Sequence, residues 1–215
     1  MGRRALTKVR LDEQTDFSRY FRVPEDLEKP LDFAALFGRT APLELEIGSG
    51  KGLFIRNAAQ RRPEHDFLGV EIGKKYAFFS AAGIANTHLT NAKMICGDAA
   101  QFLDQWIPPN SLHAVHVYFP DPWWKRAHKK RRILREEVLK LIERNLQPGG
   151  TLHFWTDVQE YFETTLALLA ETTKLSAPQE IPEVEPLHEM DYHTHFERRT
   201  RIHGEAVYRA LFVKE

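Results

Sequence analysis

The sequence predicts an α/β fold in which a mostly parallel sheet lies between two layers of helices. From residue 42 onward, short apolar runs alternate with stretches of helical periodicity, which is typical of consecutive βαβ units. The length of 215 residues, with 42% hydrophobic and 28% charged residues, suits one globular domain with a sizeable core. Because ligands bind beyond the carboxyl ends of such strands, we expect functional side chains directly after each strand.

The predicted elements follow one another with short connections. Strands are predicted at residues 43–48, 67–72, 93–97, 112–119 and 151–155. Helices are predicted at residues 53–60, 74–85, 99–106, 130–146 and 158–172. Residues 196–213 are predicted to form two strands around Gly204, a C-terminal antiparallel hairpin at one edge of the sheet. Residues 1–40 show no clear period, so we expect an N-terminal leader before a domain of residues 41–215.

Composition and charge exclude several classes of protein. Lys plus Arg and Asp plus Glu each number 30, and the net charge of zero excludes a protein that coats nucleic acid through overall basicity. The single cysteine, Cys96, excludes a disulfide framework and a multi-cysteine metal site. No signal peptide or membrane span is predicted, so a cytoplasmic protein is expected. Four histidines near the C-terminus match no zinc spacing, and no metal is expected at them: His188, His193, His195 and His203.

The first strand runs into a glycine-rich turn, Glu46-Ile47-Gly48-Ser49-Gly50-Lys51-Gly52. The three glycines allow the backbone to approach a ligand closely at a helix N-terminus. A dinucleotide fingerprint would place its third glycine at position 53, which is Leu53, and no Walker loop is present. The carboxylate of Glu46 would repel a pyrophosphate and suits a cationic ligand. A plain tight turn between strand and helix remains the alternative.

Acidic residues also end the next two strands. Glu71 ends the second strand, 25 residues after Glu46, where an acid can accept hydrogen bonds from both hydroxyls of a ribose. Asp98 follows the third strand and could accept a hydrogen bond from an adenine amino group, or cap the next helix. Three acids at successive strand ends describe a pocket for a positively charged adenosine that lacks phosphates. S-adenosyl-L-methionine fits this description, whereas NAD and ATP fit it poorly.

The fourth strand runs into Pro120-Asp121-Pro122-Trp123 and then into a basic segment. The two prolines restrict the backbone around Asp121, so its carboxylate is expected to be held in place. Residues 125–135 contain seven Lys or Arg residues and no acid. Basic residues beside tryptophan suit a phosphate backbone and a stacked base, with Arg131 and Arg132 on phosphates. A solvated basic start to the following helix is the alternative.

These motifs together resemble the bacterial tRNA (guanine-N7)-methyltransferase family over about residues 42–213. The segments that carry the resemblance are the glycine-rich turn, Gly69-Val70-Glu71-Ile72, Pro120-Asp121-Pro122-Trp123 with the basic run to Arg132, Thr156-Asp157, and Thr194-His195-Phe196-Glu197 followed by Gly204. The block from Pro120 to Arg132 is highly specific to the family, whereas the glycine-rich turn is common to class I methyltransferases. Trp124 and His195 depart from the residues that are usual in the family.

The resemblance implies a three-layer, Rossmann-like class I methyltransferase sheet that binds S-adenosyl-L-methionine, releases S-adenosyl-L-homocysteine and uses no metal. It implies methyl transfer to N7 of guanine 46 in the tRNA variable loop, with tRNA as partner; the chain could act as a monomer or homodimer. Asp121 is the implied catalytic residue. Implied cofactor contacts, beside the three glycines Gly48, Gly50 and Gly52, are Glu46, Glu71, Asp98 and Asp121. Implied tRNA or guanine contacts are Lys125, Asp157, Thr194, His195, Phe196 and Glu197.

Three other functions remain to be weighed against this one. A methyltransferase for a small molecule or a protein would explain the acids and glycines but not the basic segment. An RNA-binding module on a degenerate methyltransferase fold would be expected to lose the cofactor acids, yet Glu46, Glu71 and Asp98 are all present. An NAD oxidoreductase is disfavoured by Leu53 and by Glu46.

Overall fold

A computed structural model describes residues 11, 15–123, 127, 131–179, 181 and 192–215. Within them, seven strands form one sheet, flanked by seven α-helices. The strands are β1 (Phe21–Arg22), β2 (Leu43–Ile47), β3 (Asp66–Glu71), β4 (Ala92–Cys96), β5 (Leu112–Tyr118), β6 (Leu146–Thr156) and β7 (Tyr208–Val213). The helices are α1 (Phe33–Phe37), α2 (Leu53–Arg61), α3 (Lys74–Asn86), α4 (Ala99–Gln105), α5 (Glu136–Asn145), α6 (Gln159–Thr172) and α7 (His195–Ile202).

The sheet is parallel except at one edge, which confirms the predicted fold class. Its strand order is β1-β4-β3-β2-β5-β6-β7, and only β7 runs antiparallel to its neighbour, β6. The chain moves outward from β2 through β3 to β4, and then returns to the other side of β2 with β5. This reversal makes the carboxyl ends of β2 and β5 the point at which an open α/β sheet forms its ligand crevice.

The two faces of the sheet carry different side chains. Leu45 and Val117 point to one face, where they pack with buried residues of α4, α5 and α6 such as Leu139. Alternate residues of the same strands point to the face covered by α2 and α3. There the apolar packing of Phe54 and Phe67 surrounds a set of buried polar side chains. The second face therefore holds the polar groups that approach the crevice.

The helix predicted at residues 130–146 begins later, at Glu136, with Arg135 as its N-cap. The basic segment thus precedes the helix and is not its first turn. Glu136 and Glu137 occupy that turn instead, where negative charge interacts favourably with the helix dipole and a run of cations would oppose it. Leu146 already belongs to β6, so this strand also starts earlier than the predicted residue 151.

The predicted antiparallel edge is present, but the predicted hairpin around Gly204 is wrong. Residues 195–202 form α7, and β7 pairs with β6 from Thr151↔Val213 to Thr156↔Tyr208. The local reason is a helix cap: the Thr194 side chain accepts a hydrogen bond from the Glu197 amide, which starts a helix where the first strand of the hairpin was predicted.

Residues 15–40 contribute to the sheet and its cover. β1 pairs in parallel with β4, and Pro24 lies so close to Gly97 that a Cβ there would meet the proline ring at 2.8 Å. Leu31 is buried in the core on the α4 side of the sheet. Among the helices of the described residues, none combines the length and the apolar character needed to cross a membrane.

Candidate active site

The glycine-rich turn joins β2 to α2 at the centre of the sheet. Gly48, Gly50 and Gly52 all have positive φ, at 77°, 52° and 70°. Gly52 also meets α3 closely, because a Cβ at this position would lie 1.9 Å from the Ser80 Oγ. A side chain at Gly52 would therefore require both a strained backbone and a displaced helix. The sequence predicted this turn and its position correctly.

Glu46 lies near the end of β2 and is 4% exposed. Its Oε2 atom accepts no hydrogen bond within the described part of the chain. Burial, opposed by the hydrogen bond with Ser49 and reinforced by the negative charge of Glu71, raises the pKa of Glu46 to about 8. A buried acceptor without a donor costs free energy, so this carboxyl group suits a ligand that brings a donor or a positive charge.

Glu71 ends β3 and organises the turn beside it. Its Oε2 accepts a hydrogen bond from the Gly50 amide at 2.9 Å, and its Oε1 accepts one from the Gly73 amide at 2.7 Å. Ile72 directly follows, and its large apolar side chain is 72% exposed at the end of β3. The two neighbours thus offer a carboxylate and an apolar surface at one point, and sequence reasoning assigned no role to Ile72.

Asp98 follows β4 and caps α4. Its Oδ1 accepts a hydrogen bond from the Gln101 amide at 2.9 Å. The helix-cap alternative considered for this residue is thus what the structure shows. The side chain is exposed at the carboxyl end of β4, so capping with one oxygen leaves it at the same edge of the sheet as Glu46 and Glu71.

Asp121 lies in a loop with an unusual backbone. Phe119 and Trp123, on either side of Pro120-Asp121-Pro122, have φ values of 49° and 43°, which are uncommon for residues other than glycine. The Phe119 amide continues the β5–β6 pairing by donating a hydrogen bond to the Trp155 carbonyl oxygen at 2.8 Å. Asp121 itself is exposed. Strained loops that are held by their surroundings are frequent at functional sites.

Asp157 follows β6, the strand next to β5. Burial raises the pKa of Asp157, and Glu205 adds to the rise while Arg199 opposes it. Phe196 of α7 packs against Phe119 with 5.1 Å between ring centroids. The C-terminal helix therefore contacts the loop that carries Asp121, while Asp157 follows the strand next to that loop.

Comparison with known proteins decides the family. A family model described as "Putative methyltransferase" matches residues 40–210. The tRNA (guanine-N(7)-)-methyltransferase of Rhodopirellula baltica (strain DSM 10527 / NCIMB 13988 / SH1) is 46% identical over 220 residues, which cover 100% of this chain and 80% of that protein. The chain belongs to the tRNA (guanine-N7)-methyltransferase family. The protein of the same name from Escherichia coli (strain K12) is 38% identical over 185 residues, 86% of this chain and 77% of the relative.

Solved structures support the fold of this tRNA (guanine-N7)-methyltransferase family member. The 16S rRNA methyltransferase KamB superposes with a TM-score of 0.61 at 18% identity, and the match covers 85% of this chain and 93% of KamB. At this identity the likeness shows the class of fold alone.

The Thr-x-x-Glu signature of the family forms the N-terminal cap of α7. The Thr194 Oγ1 accepts a hydrogen bond from the Glu197 amide at 2.9 Å, and the Glu197 Oε2 accepts one from the His193 amide at 2.6 Å. Burial opposes the ionisation of Glu197, yet the bonds from His193 and the charge of Arg201 hold its pKa below the ordinary value. Thr194 and Glu197 are therefore both engaged at the start of α7, while His195 and Phe196 are exposed.

The predicted phosphate contacts in the basic segment differ from one another. Lys125 lies outside the described residues. Arg131 is exposed, and its guanidinium lies over the Trp123 ring at 5.1 Å. Arg132 is only 7% exposed, and its guanidinium is bonded inside the protein. The segment therefore contains at least one arginine that is not presented to solvent.

A buried polar network on the α2 side of the sheet was missed from the sequence. Both carboxylate oxygens of Glu44 are engaged: Oε1 with Arg62 and His65, and Oε2 with the His116 ring at 2.7 Å. The His116 ring also contacts the Tyr118 hydroxyl at 2.9 Å. The ring nitrogens of His65 and His113 and a Glu44 oxygen lie within 4.8 Å of one another. Because Glu44 already has these partners, the cluster is an internal hydrogen-bond network beneath the site.

Proposed function

We propose that this protein transfers a methyl group from S-adenosyl-L-methionine to N7 of a guanine in tRNA, at position 46 of the variable loop. The observation that carries the proposal is the row of acids at the ends of neighbouring strands in a chain of this family. Glu46, Glu71 and Asp98 end or follow β2, β3 and β4, and Asp121 and Asp157 follow β5 and β6. The tRNA substrate, in turn, makes the cytoplasm the expected location.

The residues of the first three strand ends suit the methyl donor. Glu71 has an oxygen bonded to each of two backbone amides, and its remaining lone pairs can accept from ribose hydroxyls. None of the residues that the structure describes donates to the buried Oε2 of Glu46, and the ligand's ammonium group would supply that donor. Ile72 offers an apolar surface beside Glu71 for an adenine ring. When bound, S-adenosyl-L-methionine supplies the electrophilic methyl group.

The chemistry at the acceptor requires positioning more than proton transfer. Guanine N7 carries a lone pair and no proton, so it attacks the methyl carbon directly and needs no general base. The protein's contribution is to hold N7 in line with the bond that breaks and to stabilise the positive charge that develops on the purine. A carboxylate that accepts hydrogen bonds from guanine N1–H and the exocyclic amine does both, and it also selects guanine over adenine.

Asp121 and Asp157 are better placed for this role than Glu197. Glu197 is 1% exposed and is held by the His193 amide and the Arg201 guanidinium. Asp121 is exposed in the loop that follows β5. Asp157 is partly buried and follows β6, the neighbouring strand. We therefore assign Asp121 the catalytic contact with the guanine, Asp157 a second contact, and Glu197 the support of α7.

The test of the function is methylation of an unmodified tRNA transcript. After incubation with S-adenosyl-L-methionine, borohydride and aniline cut the RNA at N7-methylguanine, and sequencing gels show where. We expect one cut, at guanine 46 of the variable loop. Labelled methyl found only in small molecules or protein would favour a methyltransferase for another substrate, and no transfer at all would favour an RNA-binding module on a degenerate methyltransferase fold.

Asp121→Ala tests the catalytic assignment on the same transcript. We expect the rate of methyl transfer in a single turnover to fall more than a hundredfold, on the order of the loss from removing one electrostatic stabiliser. Affinity for S-adenosyl-L-homocysteine should change much less. A near-normal single-turnover rate would contradict the role of Asp121.

A further inference from the structure

Arg132 lies in the middle of the basic segment but is not displayed with it. Arginine is almost never buried unless its guanidinium is paired, and Arg132 is 7% exposed. Its neighbour Arg131 is exposed. The two adjacent arginines therefore have different environments, and the partners of Arg132 explain why.

The guanidinium of Arg132 is bonded in two directions and stacked in a third. Its Nε donates a hydrogen bond to the Pro122 carbonyl oxygen at 2.7 Å. Its Nη2 donates one to the Glu160 Oε2 at 3.2 Å. The plane lies over the Tyr161 ring, with 4.5 Å between Cζ and the ring centroid. This use of a rigid planar fork is specific to arginine, because a lysine ammonium cannot reach both acceptors from one stacked position.

These contacts connect the two loops that carry the proposed guanine-binding acids. Pro122 directly follows Asp121, and Glu160 lies in the first turn of α6, three residues after Asp157. Burial raises the pKa of Tyr161 to about 12, and among the smaller influences the charge of Asp121 adds to the rise. One side chain thereby bridges the ends of β5 and β6.

The backbone of the Asp121 loop needs such a support. Positive φ at Phe119 and Trp123 costs free energy at each residue and persists only where the surroundings hold it. The bond from Arg132 to the Pro122 carbonyl oxygen acts between these two residues. We propose that Arg132 is a positioning residue that fixes Asp121 relative to Asp157, and that it is not a phosphate contact. The proposal rests on the proposed function, because that function assigns Asp121 and Asp157 to contacts with the same guanine.

Two substitutions separate a positioning role from a phosphate contact. Arg132→Lys keeps the charge and removes the fork, so we expect kcat on the tRNA transcript to fall at least tenfold with KM within twofold of wild type. Arg132→Gln removes the charge, and we expect an unchanged slope of log tRNA affinity against log salt. In contrast, Arg131→Gln should lower that slope by about one. Lys140→Gln, which removes an exposed charge from α5, is the control with wild-type behaviour expected.

Hydrogen exchange at the Asp121 and Trp123 amides gives a readout that needs no activity. Arg132→Lys should speed exchange there while the β2 amides stay as in wild type. Glu160→Gln, the milder variant, should shift kcat and exchange in the same direction and decides the matter if Arg132→Lys does not fold. Wild-type kcat and exchange in Arg132→Lys, or a lower salt slope in Arg132→Gln, overturns the proposal. A wild-type protein that methylates no tRNA would refute the proposed function, while the exchange comparison would still test the support of the loop.

Discussion

Glu46 shows how one residue can couple ligand binding to protonation. Its carboxyl group is buried, its Oε2 has no donor within the described chain, and its pKa is raised to about 8 by burial and by Glu71. At neutral pH much of the free protein therefore carries Glu46 in the neutral form. A cationic methyl donor binds better to the ionised form, so binding should release a proton.

We expect the affinity for S-adenosyl-L-methionine to rise with pH. The donor prefers ionised Glu46, so the dissociation constant should fall by up to about tenfold per pH unit below the pKa of about 8 and level off above it. Calorimetry from pH 6.5 to 9, in buffers of different ionisation enthalpy, measures both the affinity and the released proton. Glu46→Gln is the control and should show no such slope. Equal wild-type affinity across this range would contradict the coupling.

In helix α7, some residues of the Thr-x-x-Glu motif hold the helix together and others face the site. Thr194 and Glu197 cap the helix, while Phe196 is presented beside Phe119 at the site. The sequence predicted that this segment belongs to the site, because the motif itself was visible. It did not predict the helix, because the segment has only two large apolar residues, Phe196 and Ile202, and the cap formed by Thr194 is evident only in the structure. The predicted start of α5 was also wrong. The helix begins at Glu136, where the acids Glu136 and Glu137 interact favourably with the helix dipole, and the basic residues before it lie outside the helix.

Thr194→Ala should loosen α7 without removing any group from the cofactor crevice. Loss of an N-cap costs about 1 kcal/mol, so we expect a drop of this size in the free energy of unfolding and a higher KM for tRNA. Affinity for S-adenosyl-L-homocysteine should stay within twofold. Thr194→Ser, which keeps the capping oxygen, is the matched control and should behave as wild type. Equal loss in both variants would show that the hydroxyl does not act as a cap.

The sheet that organises the whole molecule carries buried polar side chains on the face covered by α2 and α3. The alternation of strands and helices, and the acids at strand ends, were predictable because each is encoded within a short stretch of sequence. The network around Glu44 was not, since its partners Arg62, His65 and His116 come from a helix end, a loop and a strand that meet only in the fold. The same holds for Arg132, whose burial depends on α6.

Glu44 should contribute to stability in a pH-dependent way. Burial opposes its ionisation, yet His116, Arg62 and His65 lower its pKa to about 2. A depressed pKa contributes stability above the unfolded value of about 4.5, and this contribution is lost as pH falls toward 2. We expect Glu44→Gln to lower the free energy of unfolding by about 2–4 kcal/mol at pH 7, and the gap from wild type to narrow below pH 4.5.

Denaturant unfolding at pH 7 and pH 4 measures this difference. Glu64 is exposed and lies between Arg62 and His65, two partners of Glu44. Glu64→Gln is therefore the control and should leave the free energy of unfolding nearly unchanged. A Glu44→Gln protein as stable as wild type at pH 7 would show that the buried charge is not stabilising.

The proposed function requires the methyl donor to bind at the carboxyl ends of the central strands, and a crystal structure with S-adenosyl-L-homocysteine tests this most directly. We predict the ligand at the carboxyl ends of β2, β3 and β4, with its ribose hydroxyls on Glu71 and its ammonium group within reach of Glu46. A ligand lodged elsewhere, for example in the cavity of about 410 Å³ that Phe162, Tyr208 and Arg209 line between α6 and β7, would contradict it.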